Sequence, residues 1–150
     1  MVRYVAFDGA GTPTLGARLC FYRGIEVLCG PDGLTGSRDL LYRGNAEGLF
    51  DPWPAAEIDL ESTYGFAVVA TDCDADRRPD LFVASDMSIN LVYRRGPDGD
   101  PQDWSLFSGA GYSGDGREQS GMGATAADFD EDGRFDVFVT NFQNDYNTLY

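Results

Sequence analysis

Two stretches of this chain, 56 residues apart, carry the same acidic signature. Asp72, Asp74, Asp76 and Asp80 return as Asp128, Asp130, Asp132 and Asp136. The flanks return with them. Gly65-Phe66-Ala67 comes back as Gly121-Met122-Gly123, and Leu81-Phe82-Val83 as Val137-Phe138-Val139. Leu91-Val92-Tyr93 comes back as Thr148-Leu149-Tyr150, with one residue inserted. A partial third copy lies upstream, where Leu40-Leu41-Tyr42-Arg43-Gly44 precedes its match Leu91–Arg95 by 51 residues. A repeat of this length, built from short apolar runs, is the signature of a propeller blade.

The apolar runs have strand character. Gly65–Thr71, Leu81–Ser85 and Ile89–Tyr93 are short, rich in Val and Phe, and bounded by Asp, Gly and Pro. Trp104–Phe107 reads as one more strand, after a Pro/Gly/Asp turn at Gly96–Asp103. No stretch of helical length carries a 3.6-residue apolar stripe, so the expected class is all-β. Three parts are expected: a cysteine-bearing segment and blade tail at 1–58, a blade with the first acidic loop at 59–108, and an incomplete blade with the second at 109–150. At roughly 55 residues per blade the chain covers about two to three blades of a ring that closes with roughly 4–8. It is therefore expected to be a fragment of a β-propeller, whose partners include the neighbouring blades.

The acidic loops point to calcium. Each reads Asp-x-Asp-x-Asp-x-x-x-Asp between two strand-like runs. Alternate spacing in a tight loop is expected to turn the first three carboxylates toward one centre. The backbone carbonyl of Arg78 or Arg134 can add an oxygen, and Asp80 or Asp136 can close the shell. Such a set is hard, anionic and all-oxygen, which suits Ca²⁺. Two sites are expected: Asp72, Asp74, Asp76, Arg78 and Asp80; and Asp128, Asp130, Asp132, Arg134 and Asp136. The second should be the tighter, because Gly133 suits the sharp turn at position six, where the first loop has Arg77. The loops are not EF-hands, since position twelve is Val83 or Val139 and the flanks are strands. The bland alternative is a solvated Asp-rich turn.

Composition excludes other functions. The chain carries 25 acidic residues against 11 basic ones, a formal charge of −14, with no His. No basic block exists to hold nucleic acid or anionic lipid. Without His there is no Ser-His-Asp triad and no His-ligated zinc. No apolar run approaches a membrane span, and no signal peptide is visible at the start. Gly121–Ala126 fits a relaxed dinucleotide pattern but precedes an acidic loop, not a helix. Gly111–Asp115 lacks the final Gly of a nucleophile elbow. The loop carboxylates could form an acid/base pair, but calcium would hold them engaged, so no enzymatic activity is expected. Cys20 and Cys29 enclose eight residues and are either a disulfide, the favoured reading, or two buried thiols. Cys73 is expected to point away from the centre of its loop and reads as strand-end packing. The recurring aromatics read as core.

The units from Gly65 to Tyr93 and from Gly121 to Tyr150 resemble FG-GAP/VCBS repeats, the calcium-binding blades of integrin-α-like propellers. Cys20–Gly24, Cys29–Leu34, Asp39–Arg43, Asp115–Gly123 and Thr140–Tyr150 are similar to bacterial proteins of the cartilage-acidic-protein/UnbV (ASPIC) group. The resemblance implies a non-enzymatic propeller, often seven-bladed, that is secreted, periplasmic or at the cell surface. It implies structural calcium on blade loops and an unidentified protein or glycan ligand. The alternative is the non-catalytic propeller portion of a larger secreted lyase or hydrolase. Arg77 departs from the Gly expected in the first loop, and Tyr42–Gly48 lacks the Asp of the usual Gly-Asp-Gly hairpin.

Overall fold

The structure, a computed structural model, describes residues 1–6, 19–31, 34–53, 63–142 and 144–150. The boundary expected at residues 58 and 59, and Asp32, Gly33 and Gln143 of the resemblance motifs, lie outside the described residues.

Eleven strands and no helix are present among the described residues. They are β1 Leu19–Tyr22, β2 Ile25–Leu28, β3 Tyr42–Gly44, β4 Phe50–Pro52, β5 Gly65–Thr71 and β6 Asp80–Ser85. The others are β7 Leu91–Arg95, β8 Pro101–Asp103, β9 Gly121–Ala127, β10 Asp136–Asn141 and β11 Thr148–Leu149. They form four antiparallel sheets: hairpins β1-β2 and β3-β4, the four-stranded meander β5-β6-β7-β8, and the three-stranded β9-β10-β11. The fold is all-β, in the manner of adjacent blades of a partial β-propeller.

The repeat holds at the level of backbone register. Thr71 faces Asp80 in β5-β6, and Ala127 faces Asp136 in β9-β10. Both long strands carry a register shift one residue past their first glycine, at Phe66 and at Met122. Such a bulge bends the strand and re-aims its end. The upstream copy holds equally well at its own offset. Tyr42 faces Pro52 as Tyr93 faces Asp103. Trp53 N–H donates to the Leu41 carbonyl as Trp104 N–H donates to that of Val92 (2.9 and 2.8 Å). Hairpin β3-β4 is thus the counterpart of β7-β8.

One expected strand is displaced. Trp104–Phe107 is turn, and the fourth strand is Pro101–Asp103 inside the stretch read as a turn. The Asp103 carboxylate accepts from the N–H and hydroxyl of Ser105 (2.8 and 2.6 Å). These bonds fold the backbone away from β7 just where the apolar residues begin.

The two central strands of this sheet, β6 and β7, are covered on both faces, their side chains alternating between two clusters. Phe82, Ala84 and Val92 pack against Val137 and Val139 of β10. Val83, Leu91 and Tyr93 face the other way, toward Val2 and Leu41. Close approach at the sheet ends demands glycine. A Cβ at Gly121 would lie 3.0 Å from the Ser85 carbonyl, and one at Gly65 would lie 2.5 Å from a Val2 methyl. Single bridges tie the same places, Ser37 to Thr63 and Ser88 to Gln119.

Cys20 and Cys29 are joined as a disulfide with Cα atoms 5.1 Å apart, closing the β1-β2 hairpin. Cys73 is a free thiol, half-buried. Burial and the charges of Asp80, Asp72 and Asp74 push it up to about 11, so it stays protonated at neutral pH.

Candidate metal centre

Each acidic loop joins the two long strands of its unit, β5 to β6 and β9 to β10. The two loops have one backbone conformation. Position four is left-handed in both, at Ala75 (φ 60°) and Glu131 (φ 61°). Position six is left-handed in both as well, at Arg77 (φ 68°) and Gly133 (φ 88°). Arg77 therefore adopts the turn that glycine adopts freely, at a conformational cost.

The same hydrogen bonds hold both turns. The N–H of Asp76 donates to Asp72 Oδ1 (3.0 Å) and Asp74 Oδ1 (3.1 Å), and that of Asp132 donates to Asp128 Oδ1 (3.0 Å) and Asp130 Oδ1 (3.2 Å). The N–H of Arg77 or Gly133 reaches the second oxygen of the first Asp, at 2.8 and 2.9 Å. The last Asp accepts from the second residue of its loop, Cys73 N–H to Asp80 (3.1 Å) and Phe129 N–H to Asp136 (2.9 Å). Backbone donors thus fix where each carboxylate stands.

The converging carboxylates are three per loop. Oxygens of Asp72, Asp74 and Asp80 lie within 4.8 Å of one another, as do those of Asp128, Asp130 and Asp136. The third Asp of each loop stands apart. Asp76 is bound by the Arg78 guanidinium (2.5 Å), and Asp132 by that of Arg134 (2.6 Å). These pairs hold both carboxyls below the usual carboxylate range. Arg78 and Arg134 also donate their own N–H to the same carboxylates, at 2.8 and 2.9 Å.

Surroundings distinguish the loops. Asp80 is 1% exposed, whereas Asp136 is half-buried and Asp130 is exposed. Burial pushes the Asp80 carboxyl up, opposed by N–H donors from Arg95 and Cys73 and reinforced by the charges of Asp74 and Asp76. Arg94 of β7 forms an ion pair with Asp74, and the Arg78 guanidinium also donates to the Gly96 carbonyl (3.0 Å). The second loop has no such neighbouring cation among the described residues. A cleft of about 280 Å³ runs beside the first loop, lined among others by Cys73, Asp74, Arg94, Trp104 and Tyr150.

Sequence reasoning passed over the residues that hold the far ends of β6 and β10, opposite the acidic loops. Asn90 Oδ1 accepts from Ser85 N–H (3.1 Å), as Asn147 Oδ1 accepts from Asn141 N–H (2.9 Å). Asn90 also donates to the Tyr150 hydroxyl (3.2 Å), bridging the two sheets. The available signal was an Asn directly before the third strand of each unit.

Residues 72–139 match the family model described as FG-GAP-like repeat. That match supports the FG-GAP family. The matched span contains both acidic loops and the strands from β6 through β9. Comparison with curated proteins finds no significant match. No helix among the described residues is long and apolar enough to cross a membrane.

Proposed function

We propose that this chain is a calcium-binding FG-GAP interaction or scaffold module of an extracytoplasmic propeller, with calcium structural and no catalytic role. The observation that supports this reading is the pair of loops with one backbone, each gathering three carboxylate oxygens within 4.8 Å. The donor set is all-oxygen and anionic, which fits Ca²⁺ and not a thiophilic metal. Asp128, Asp130 and Asp136 would hold an ion, and Asp72, Asp74 and Asp80 are the matching set of the first loop, where the sequence led to the expectation of a second. Asp76, Asp132 and the carbonyls of Arg78 and Arg134 are the further oxygens proposed from the sequence. A bound ion would neutralise the clustered charge and clamp two strands of a blade.

FG-GAP repeats are typical of extracellular proteins and often bind calcium, which is in keeping with this reading. The Cys20–Cys29 bond agrees with an oxidising compartment. The cartilage-acidic-protein/UnbV type is proposed from the resemblance of this segment together with Asp39–Arg43, Asp115–Gly123 and Thr140–Tyr150. Its ligand would be a protein or glycan met through blade loops, alongside neighbouring blades.

Calorimetric titration of the chain with CaCl₂ tests the proposal, beside an Asp130→Asn/Asp136→Asn variant. Saturable binding at tenths of millimolar or tighter, weakened at least about tenfold in the variant, is the expected result. A folded chain that shows neither heat nor a calcium-dependent thermal shift would sink it.

A further inference from the structure

We propose that Arg94 is a tethered cation that excludes calcium from the first loop, leaving the second as the calcium-responsive site. The inference rests on the calcium reading above and concerns the regulation of one of its two sites.

Arg94 sits on β7 immediately beside the loop. The next residue, Arg95, donates its N–H to Asp80 Oδ1 (3.1 Å), so the end of this strand is hydrogen-bonded to one of the converging carboxylates. The Arg94 Nε meets Asp74 Oδ2, an oxygen of a second converging carboxylate. On its other side the guanidinium stacks 5.0 Å from the centre of the Trp104 ring. Trp104 is fixed in turn by its N–H bond to the Val92 carbonyl (2.8 Å). A guanidinium held by a ring face loses less freedom on pairing than one on a free stem. With side chains 35% and 20% exposed, the pair is only partly open to solvent screening.

The consequence for a divalent ion is direct. One of the three carboxylates it needs is already matched by a positive charge, and that charge repels it at contact range. The loop itself is also less acidic. Residues 72–80 carry four carboxylates and two arginines, whereas 128–136 carry five and one. Stacking alone does not explain the arrangement. Arg43 repeats it on Trp53 at 5.6 Å, 51 residues earlier, and makes no ion pair with either loop among the described residues. Arg43 is therefore a matched control.

The test is calcium calorimetry on the chain with its second loop disabled by Asp130→Asn/Asp136→Asn. In that background, no saturable binding is expected up to millimolar calcium. Adding Arg94→Gln should bring in one site, with affinity at least about tenfold above the background, while adding Arg43→Gln should not. Should Arg94→Gln fail to fold by circular dichroism, Arg94→Met, whose stem still covers Trp104, takes its place. Unchanged binding within twofold on removal of Arg94, or equal gain from Arg43→Gln, overturns the proposal. Failure of the calcium reading looks different: the unmodified chain itself shows no binding at its second loop. A chain that binds through its second loop and gains nothing from Arg94→Gln keeps that reading and loses this one.

Discussion

The two repeated units share a loop backbone but not a setting. In the first, β6 and β7 are covered on both faces, Asp80 is sealed from solvent, Arg94 reaches the loop from β7, and Arg78 reaches Gly96 from the loop. In the second, β9-β10-β11 packs one face on the first, while Phe129 and Phe135 of its loop are exposed. Hydrogen bonds inside nine residues are enough to reproduce the turn. What surrounds it decides how its charge is balanced. Repetition of a motif is therefore evidence for shape before it is evidence for equal chemistry.

The comparison can be broken most forcefully in the core. Phe82 is 1% exposed, whereas its counterpart Phe138 is half-buried. Phe82→Ala should cost about 3–5 kcal/mol in urea unfolding, and Phe138→Ala about half of that or less. Equal losses would mean that the two units are buried alike in solution.

Position six gives an opposed pair of smaller effects. Gly133→Ala should lower stability by about 1 kcal/mol, because φ there is 88°. Arg77→Gly should raise it by up to about 1 kcal/mol, relieving a side chain held at φ 68°. Thermal melts that move in the same direction for both would show that strain does not govern this turn.

The smallest effect concerns pH in calcium-free buffer. Burial raises the folded-state value of Asp80, so the folded form takes up its proton before the unfolded form does. Its contribution to stability is then fully present below the unfolded carboxylate value near ~3.9 and is lost as pH rises through the folded value. Asp76, held low by Arg78, works in the opposite sense and is lost as pH falls through its lowered folded value. An Asp80→Asn variant should therefore lose the Asp80 part of the slope in a stability-against-pH series. An unchanged slope would mean that Asp80 is not desolvated.

Much of this was legible in the chain. Asp, Gly and Val spacing marks the loop and its strands because the pattern is local, within nine residues and a run on each side. The clustering of the first, second and last carboxylates was harder to see. It depends on which Asp the neighbouring Arg takes, and Arg78 and Arg134 each take the Asp two residues before them. Arg94 was invisible for a different reason. Its partner lies 20 residues away across two strands, and only the register of β6 on β7 brings them together. The fourth strand was misplaced because Trp104 and Phe107 look like strand residues, while the short hydrogen bonds of Asp103 decide where the strand stops.

Gly65 and Gly121 bear on how such a chain could change over generations. Every single-nucleotide coding change away from glycine introduces a Cβ or a stop; at Gly121 that Cβ presses on the backbone of β6, and at Gly65 on the side chains of Val2 and Asp39. The acidic positions can change to Asn and keep a side-chain oxygen to accept from the loop N–H groups. Gly121 cannot drift without shifting one sheet against its neighbour, and Gly65 cannot without displacing Val2 and Asp39. Searches for further, decayed copies of the unit should therefore be anchored on the glycine that opens the long strand, and only then on the acids that follow it.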